Sequence, residues 1–280
     1  MSDQNPEEEL WKPKNYKEKF FGPTLLRVAL AKSRNVSTVK LLKKIGVGYA
    51  IAYARKMGIE SDLSPDLSLA LGSSGVSLIE LTRAYAVFPS GGTLVKPIFV
   101  RRIMDRSGQI IEENQPELEE VISKETAYVM TDLLMAVVQE GTAWRIKNLG
   151  RPAAGKTGTT NNLWDAWFMG YTPELVTGVW VGYDDRKAMG KGETGSRAAS
   201  PIWRHFVSHV LEGRPVVDFQ VPEHVVFAKI DAKTGLLAGA YSEDTVFQAF
   251  REGTEPKEYS PKPTTPKSGQ FFQFDMDGEQ

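Results

Sequence analysis

Residues 153–184 read AAGKTGTTNNLWDAWFMGYTPELVTGVWVGYD, and this stretch decides the fold. It holds three short runs, AAGKTGTT, DAWFMGYT and LVTGVWVGYD, rich in aromatic and β-branched residues that favour a pleated, half-buried surface. Asn161-Asn162 and Thr172-Pro173-Glu174 separate the runs with residues that turn a chain. Short apolar runs punctuated by turns at this spacing predict an antiparallel meander.

Helical periodicity flanks the meander on both sides. Upstream, Leu25–Leu30 predicts one helix, and Val36, Val39, Leu41, Leu42 and Ile45 predict a second. Between them stands Ser33-Arg34-Asn35, better suited to a turn or an N-cap than to a helix interior. Further helices are expected in 77–88 and 124–139, with a turn at Ser90-Gly91-Gly92 and a strand pair around 94–112 between them. Downstream, SPIWRHFVSHVLEG returns to helical period with Pro201 in its first turn. Helices, then a meander closed by a helix, predict an α+β domain whose antiparallel sheet is flanked by helices. The expected division is a polar lead-in over 1–20, the main domain over 21–212, a small β appendage over 213–255 and a disordered tail over 256–280.

Composition removes several chemistries. Having no cysteine, the chain can form no disulfide, thiolate metal site or cysteine nucleophile. Its 34 basic and 35 acidic side chains nearly cancel, so charge gives no reason to expect a nucleic acid partner. No apolar run approaches the ~20 residues that span a bilayer, and the first twenty residues do not read as a signal peptide.

Lys156-Thr157-Gly158-Thr159-Thr160 is the most informative motif. A lysine, alternating hydroxyls on one face of a strand, and glycines that admit a second backbone together make an anion-binding edge. The bland reading is a Gly/Thr turn, and the chain supplies a control for it. Lys-Thr-Gly recurs at Lys233-Thr234-Gly235 inside FAKIDAKTGLLAG, where it reads as a structural connection between apolar runs. A second decoy is GRPAAGKT at 150–157, which matches the P-loop pattern letter by letter. A phosphate-binding loop needs a buried strand before it and a helix after it, and neither flank reads that way. Asp184-Asp185 is only a weak candidate for the metal-holding partner such a loop would require. His205 and His209 are four apart on a predicted helix, but no acidic third ligand is patterned beside them, so no metal site is expected. No GxSxG elbow supports a Ser-His-Asp hydrolase.

A Ser-x-Asn turn at Ser33 and Asn35, followed much later by a Lys-Thr-Gly strand, belongs to the SxxK, Ser-x-Asn, Lys-Thr-Gly set of penicillin-binding proteins and class A β-lactamases. From about Trp11 to Glu255 the chain resembles the class A, bifunctional penicillin-binding proteins of the 1A type. The resemblance runs through GPTLLRVALAKSRN, LALGSSGVSLIELTRAYAVFPSGG, VVQEGTA and AAGKTGTTNNLWDAWFMGYTP, and through the late ID-x-x-TG-x-LA turn. It implies a serine transpeptidase/β-lactamase-like fold, incomplete on its N-terminal side. The family cross-links peptidoglycan stem peptides by serine acyl transfer at the periplasmic face of the inner membrane.

The resemblance also implies roles. Ser33 relays a proton to the leaving amine, and Asn35 holds an amide of the donor peptide. Lys156 raises the local positive potential, and Thr157 and Thr159, with Gly158 between them, grip the carboxylate of D-Ala-D-Ala or of a β-lactam. The N–H of Thr159 forms one half of an oxyanion hole, a contact worth about 2.7–4 kcal/mol in acyl transfer. The other half would be the nucleophile's own N–H. No cofactor is implied, and any membrane tie would come through an N-terminal anchor that these residues do not include.

The departure is the nucleophile. In the family, SxxK stands several dozen residues before Ser-x-Asn, whereas only 32 residues precede Ser33 here and none of them fits. The one SxxK present, Ser37-Thr38-Val39-Lys40, begins two residues after Asn35, in the next predicted helix. It reads as a decoy, although i and i+3 on a helix do share a face. The expectation is therefore a transpeptidase segment inactive alone. The competing readings are a non-catalytic module that keeps the carboxylate grip and a P-loop nucleotide binder.

Overall fold

The computed structural model describes residues 12–15 and 18–262. Four helices come first: α1 (Leu26–Ala31), α2 (Asn35–Ile45), α3 (Val47–Lys56) and α4 (Leu78–Ala86). Ser77 starts α4 through a capping box, its hydroxyl accepting from the Glu80 N–H while Glu80 accepts from the Ser77 N–H. Four short strands follow, β1 (Thr93–Val95), β2 (Arg102–Met104), β3 (Ile110–Glu113) and β4 (Leu118–Glu120). The strand pair expected around 94–112 is β2 with β3, and a second pair, not expected, encloses it. β1 closes on β4, and β2 and β3 form a separate exposed hairpin between them. The turn at Asp105–Gly108, in which the Asp105 carboxylate accepts from the Ser107 and Gln109 amides, selects this nested pairing.

The long helix α5 (Lys124–Gln139) is capped by Ser123 and leads into the central meander of β5 (Ala154–Thr159), β6 (Asp165–Tyr171) and β7 (Val176–Gly182). The three strands are antiparallel in the order β5-β6-β7, with Lys156 opposite Met169 and Phe168 opposite Val179. Helix α6 (Ser200–Val210) closes the layer. Its Trp203 lies fully buried against Phe168, ring centroids 5.3 Å apart and edge to face, and donates its indole N–H to the Thr177 carbonyl. The core therefore sits between the sheet and helices α5 and α6, with Leu134, Val137, Ile146 and Tyr171 at its centre.

The chain divides into two compact units, Met1–Val225 and Val226–Gln280. The second is built on the pair β8 (Val225–Asp231) and β9 (Thr245–Arg251). The described parts of the expected lead-in and of the expected tail are held by hydrogen bonds. Asn15 is buried, accepting from the Val36 N–H and donating to the Lys19 carbonyl. Residues 257–260 are tied to the second unit by Leu237, whose N–H donates to Glu258 and whose carbonyl accepts from Ser260. Composition undervalued both segments, because a side-chain amide in one and backbone groups in the other find hydrogen-bond partners distant in sequence. The rest of the expected tail, 263–280, and most of the expected lead-in lie outside the described residues.

Candidate active site

Helix α1 ends in a Schellman turn. Ser33 N–H donates to Leu30 and Arg34 N–H to Ala29, at 3.1 and 2.8 Å. The residue that turns the corner in such a motif adopts the left-handed conformation, normally as glycine, and here it is Ser33, with φ 52°. A serine kept in a glycine's position costs conformational energy and is worth a functional question. Its side chain answers it: the Ser33 hydroxyl accepts from Lys156 Nζ at 2.9 Å.

Lys156 lies on β5, and its second hydrogen bond goes to the Thr157 carbonyl, so both of its partners are neutral. Burial pushes its ammonium down to about 8, because no counter-charge offsets the lost hydration. A cation held this way is an anion site. Thr157 and Thr159 continue the same strand. The Thr157 hydroxyl meets that of Thr142 at 2.7 Å, and the Thr159 hydroxyl accepts from the Gly195 N–H at 3.0 Å while its own O–H stays available. Gly155 admits the neighbouring strand closely, since a Cβ there would sit 2.6 Å from the Met169 carbonyl. At Gly158 the close approach comes from Gly195, where a Cβ would lie 2.4 Å from the Gly158 carbonyl.

Ser33, Lys156, Thr157 and Thr159 thus converge through two hydrogen-bonded elements. Asn35 lies at the start of α2 and turns its amide to the Lys14 carbonyl at 2.9 Å. Ser37 and Lys40 lie within α2, and among the described residues no hydrogen bond joins them to each other or to Lys156. The P-loop reading is overturned: Gly155-Lys156-Thr157 is extended strand, paired residue for residue with β6, and is followed by another strand rather than a helix. The second Lys-Thr-Gly is a turn in which Asp231 accepts from the Lys233 and Thr234 amides. Lys233 is exposed and paired with Glu243, which raises its pKa, the opposite of the shift at Lys156. His205 and His209 are both exposed on α6, with His209 beside Glu212.

Sequence reasoning gave Gly141, Thr142 and Gly195 no part in this site. Gly-Thr one residue beyond the long amphipathic α5 was the available, weak signal, since a small residue and a hydroxyl at a helix exit suit close packing against a polar strand.

A strand presenting a desolvated lysine and two threonines, closed by a serine from a helix-end turn, defines a site of the serine acyl-transferase class. A profile of penicillin binding protein transpeptidase domains matches residues 2–207, and the chain belongs to that family. Residues 221–265 match the C-terminal domain of penicillin-binding protein 1A. The chain is 46% identical over 246 residues to penicillin-binding protein 1A of Aquifex aeolicus, covering 88% of this chain and 34% of that one. With the Pseudomonas aeruginosa protein of the same name identity is 33%, covering 89% and 37%. The crystal structure of penicillin-binding protein 1A from Haemophilus influenzae superposes with a TM-score of 0.84 at 29% identity, over 93% of this chain and 45% of that one. PonA1 from Mycobacterium tuberculosis, solved in complex with penicillin V, superposes at 0.66 with 28% identity, over 75% and 62%. The chain spans about a third of the length of the curated relatives it matches.

Proposed function

We propose that this chain forms the substrate-gripping half of a D,D-transpeptidase site that cross-links peptidoglycan stem peptides in cell-wall synthesis. The carrying observation is the 2.9 Å contact between Ser33 Oγ and Lys156 Nζ. Lys156 draws the terminal carboxylate of a D-Ala-D-Ala peptide or of a β-lactam, and Thr157 and Thr159 receive it. Ser33, hydrogen-bonded to a half-buried lysine, passes a proton to the leaving amine, the kind of transfer worth roughly 10²–10⁴ in rate. The Thr159 N–H serves the developing oxyanion. Asn35 reaches the substrate amide by exchanging its present contact with the Lys14 carbonyl.

Acyl transfer further needs a serine with a lysine three residues on. These 280 residues hold only the Ser37–Lys40 pair in that pattern, and its place on α2 does not suit the role. By itself the chain therefore binds and does not acylate. No cofactor enters the chemistry. The setting is extracytoplasmic, where the cell wall is built, and no helix among the described residues is long and apolar enough to cross a membrane.

Ligand-observed NMR with benzylpenicillin tests the reading. Saturable binding that falls at least tenfold in Lys156→Met supports it, and equal binding by that variant overturns it. An ATP titration in the same assay is expected to show nothing.

A further inference from the structure

The loop Glu140–Thr142, which leaves α5, touches both halves of the site. Thr142 N–H donates to the Ala31 carbonyl at 3.0 Å, in the last turn of α1 just before Ser33. The Thr142 hydroxyl meets the Thr157 hydroxyl at 2.7 Å. Lys32 Nζ donates to the Glu140 carbonyl. Between these contacts Gly141 lies so close to α1 that a Cβ would sit 2.1 Å from the Ala31 carbonyl. The loop is itself held from behind, since Arg27 of α1 is buried and reaches Asp132 of α5 and Glu140 of the loop, each at 3.1 Å.

Hydroxyl geometry gives this contact a direction. Each threonine has one O–H to donate. A Thr157 that grips a carboxylate must spend that donor on the ligand, so its oxygen must then accept from Thr142. We infer that Thr142 is a positioning residue, donating into Thr157 so that the Thr157 O–H points at the ligand carboxylate, while its N–H fixes the turn that carries Ser33. The inference rests on the carboxylate grip proposed above. A two-hydroxyl chain ending on an anion also strengthens each link by polarisation. Thr142 thereby sets selectivity for a free carboxylate over its ester or amide, without touching the ligand.

The test compares benzylpenicillin with its methyl ester on the full chain, by ligand-observed NMR with thermal unfolding of each variant alongside. The wild type is expected to bind the acid at least tenfold more tightly than the ester. Thr142→Val, which keeps shape and loses the hydroxyl, is expected to cut that ratio to about threefold or less by weakening the acid alone. Thr142→Ser is expected to restore it. A folded Thr142→Val with an unchanged ratio overturns the inference, as does a Thr142→Ser variant that fails to recover it. If Thr142→Val does not fold, Thr142→Ala and a Thr142→Ala/Thr157→Ala pair decide: independent losses in the two would refute coupling. A wild type that binds acid and ester equally refutes the carboxylate grip itself, a different result from loss of selectivity in the variant.

Discussion

The Lys156 ammonium and the Ser33 hydroxyl lie 2.9 Å apart, although 123 residues separate them in the chain. What brings them together is a helix end on one side and a strand on the other, and each partner bears a cost for being there. Ser33 occupies the left-handed corner of a Schellman turn, and Lys156 keeps a charge in a poorly hydrated place.

The backbone cost is measurable by comparing two substitutions. Ser33→Gly and Ser33→Ala both delete the hydroxyl, so their difference reports the strain of a Cβ at φ 52°. Glycine is expected to be the more stable by about 1 kcal/mol, the usual penalty of the left-handed region for a residue with a Cβ. Urea denaturation midpoints decide it, and alanine equal to glycine would show that Ser33 relaxes out of this conformation.

The charge cost makes stability depend on pH. Lys156 holds its proton down to about 8 in the fold, against 10.5 in the unfolded chain. Between those values the unfolded state binds more protons, so this group's contribution rises as pH climbs from about 8 towards 10.5. Below 8 both states are protonated and the full penalty stands. At 1.36 kcal/mol per unit, and discounting for water that reaches part of the side chain, roughly 1–3 kcal/mol is at stake. Lys156→Met is therefore expected to stabilise the fold at pH 7 and lose the advantage near pH 10.5. Denaturant midpoints at the two pH values check it, and a variant less stable than wild type at pH 7 is the contrary result.

Much of this was legible in the sequence, and the misses share one cause. The meander and the α5 boundaries followed from alternation and helical period, which are local signals, while the Ser33–Lys156 convergence was what the family resemblance implied. The pairing of β1 with β4 was missed because three-residue strands carry almost no periodicity, leaving register to the loop between them. Thr142 and Gly195 were missed because each acts by approaching a segment distant in sequence, for which a Gly-Thr pair at a helix exit is only a weak local signal and Gly195 carries none. Asn15 hid inside a polar, proline-marked stretch that composition read only as a lead-in.

The buried Arg27–Asp132 pair predicts asymmetry between breaking and replacing an ion pair. Arg27 is buried, reaches Asp132 and Glu140 at 3.1 Å each, and leaves its Nε without a partner. Arg27→Met alone is expected to cost about 3–5 kcal/mol, because it takes from the buried Asp132 carboxylate its arginine. The double change Arg27→Met/Asp132→Leu is expected to recover most of that loss, since a well-packed apolar pair often replaces a buried ion pair without penalty. Additive losses in a double-mutant cycle would refute this coupling.

Covalent chemistry separates reversible binding from acylation at this site. A serine attacks a β-lactam only when a neighbouring base can take its proton. Ser33 does not meet that condition near pH 7, because Lys156, with its pKa at about 8, is mostly protonated there and donates to the serine oxygen rather than accepting from it. Ser37 lies within α2 with Lys40 three residues on, but Lys40 is exposed and no hydrogen bond links the two among the described residues. The chain at pH 7 is therefore expected to show no fluorescent penicillin label that survives denaturation, while still binding the compound reversibly. A Ser33→Ala/Ser37→Ala variant gives the background against which label is judged. Adduct above that background, mapped by peptide mass to Ser37, would make α2 the nucleophile helix. Adduct mapped to Ser33 would mean that Lys156 gives up its proton at neutral pH, and that the relay assigned to this serine is instead a base-activated nucleophile.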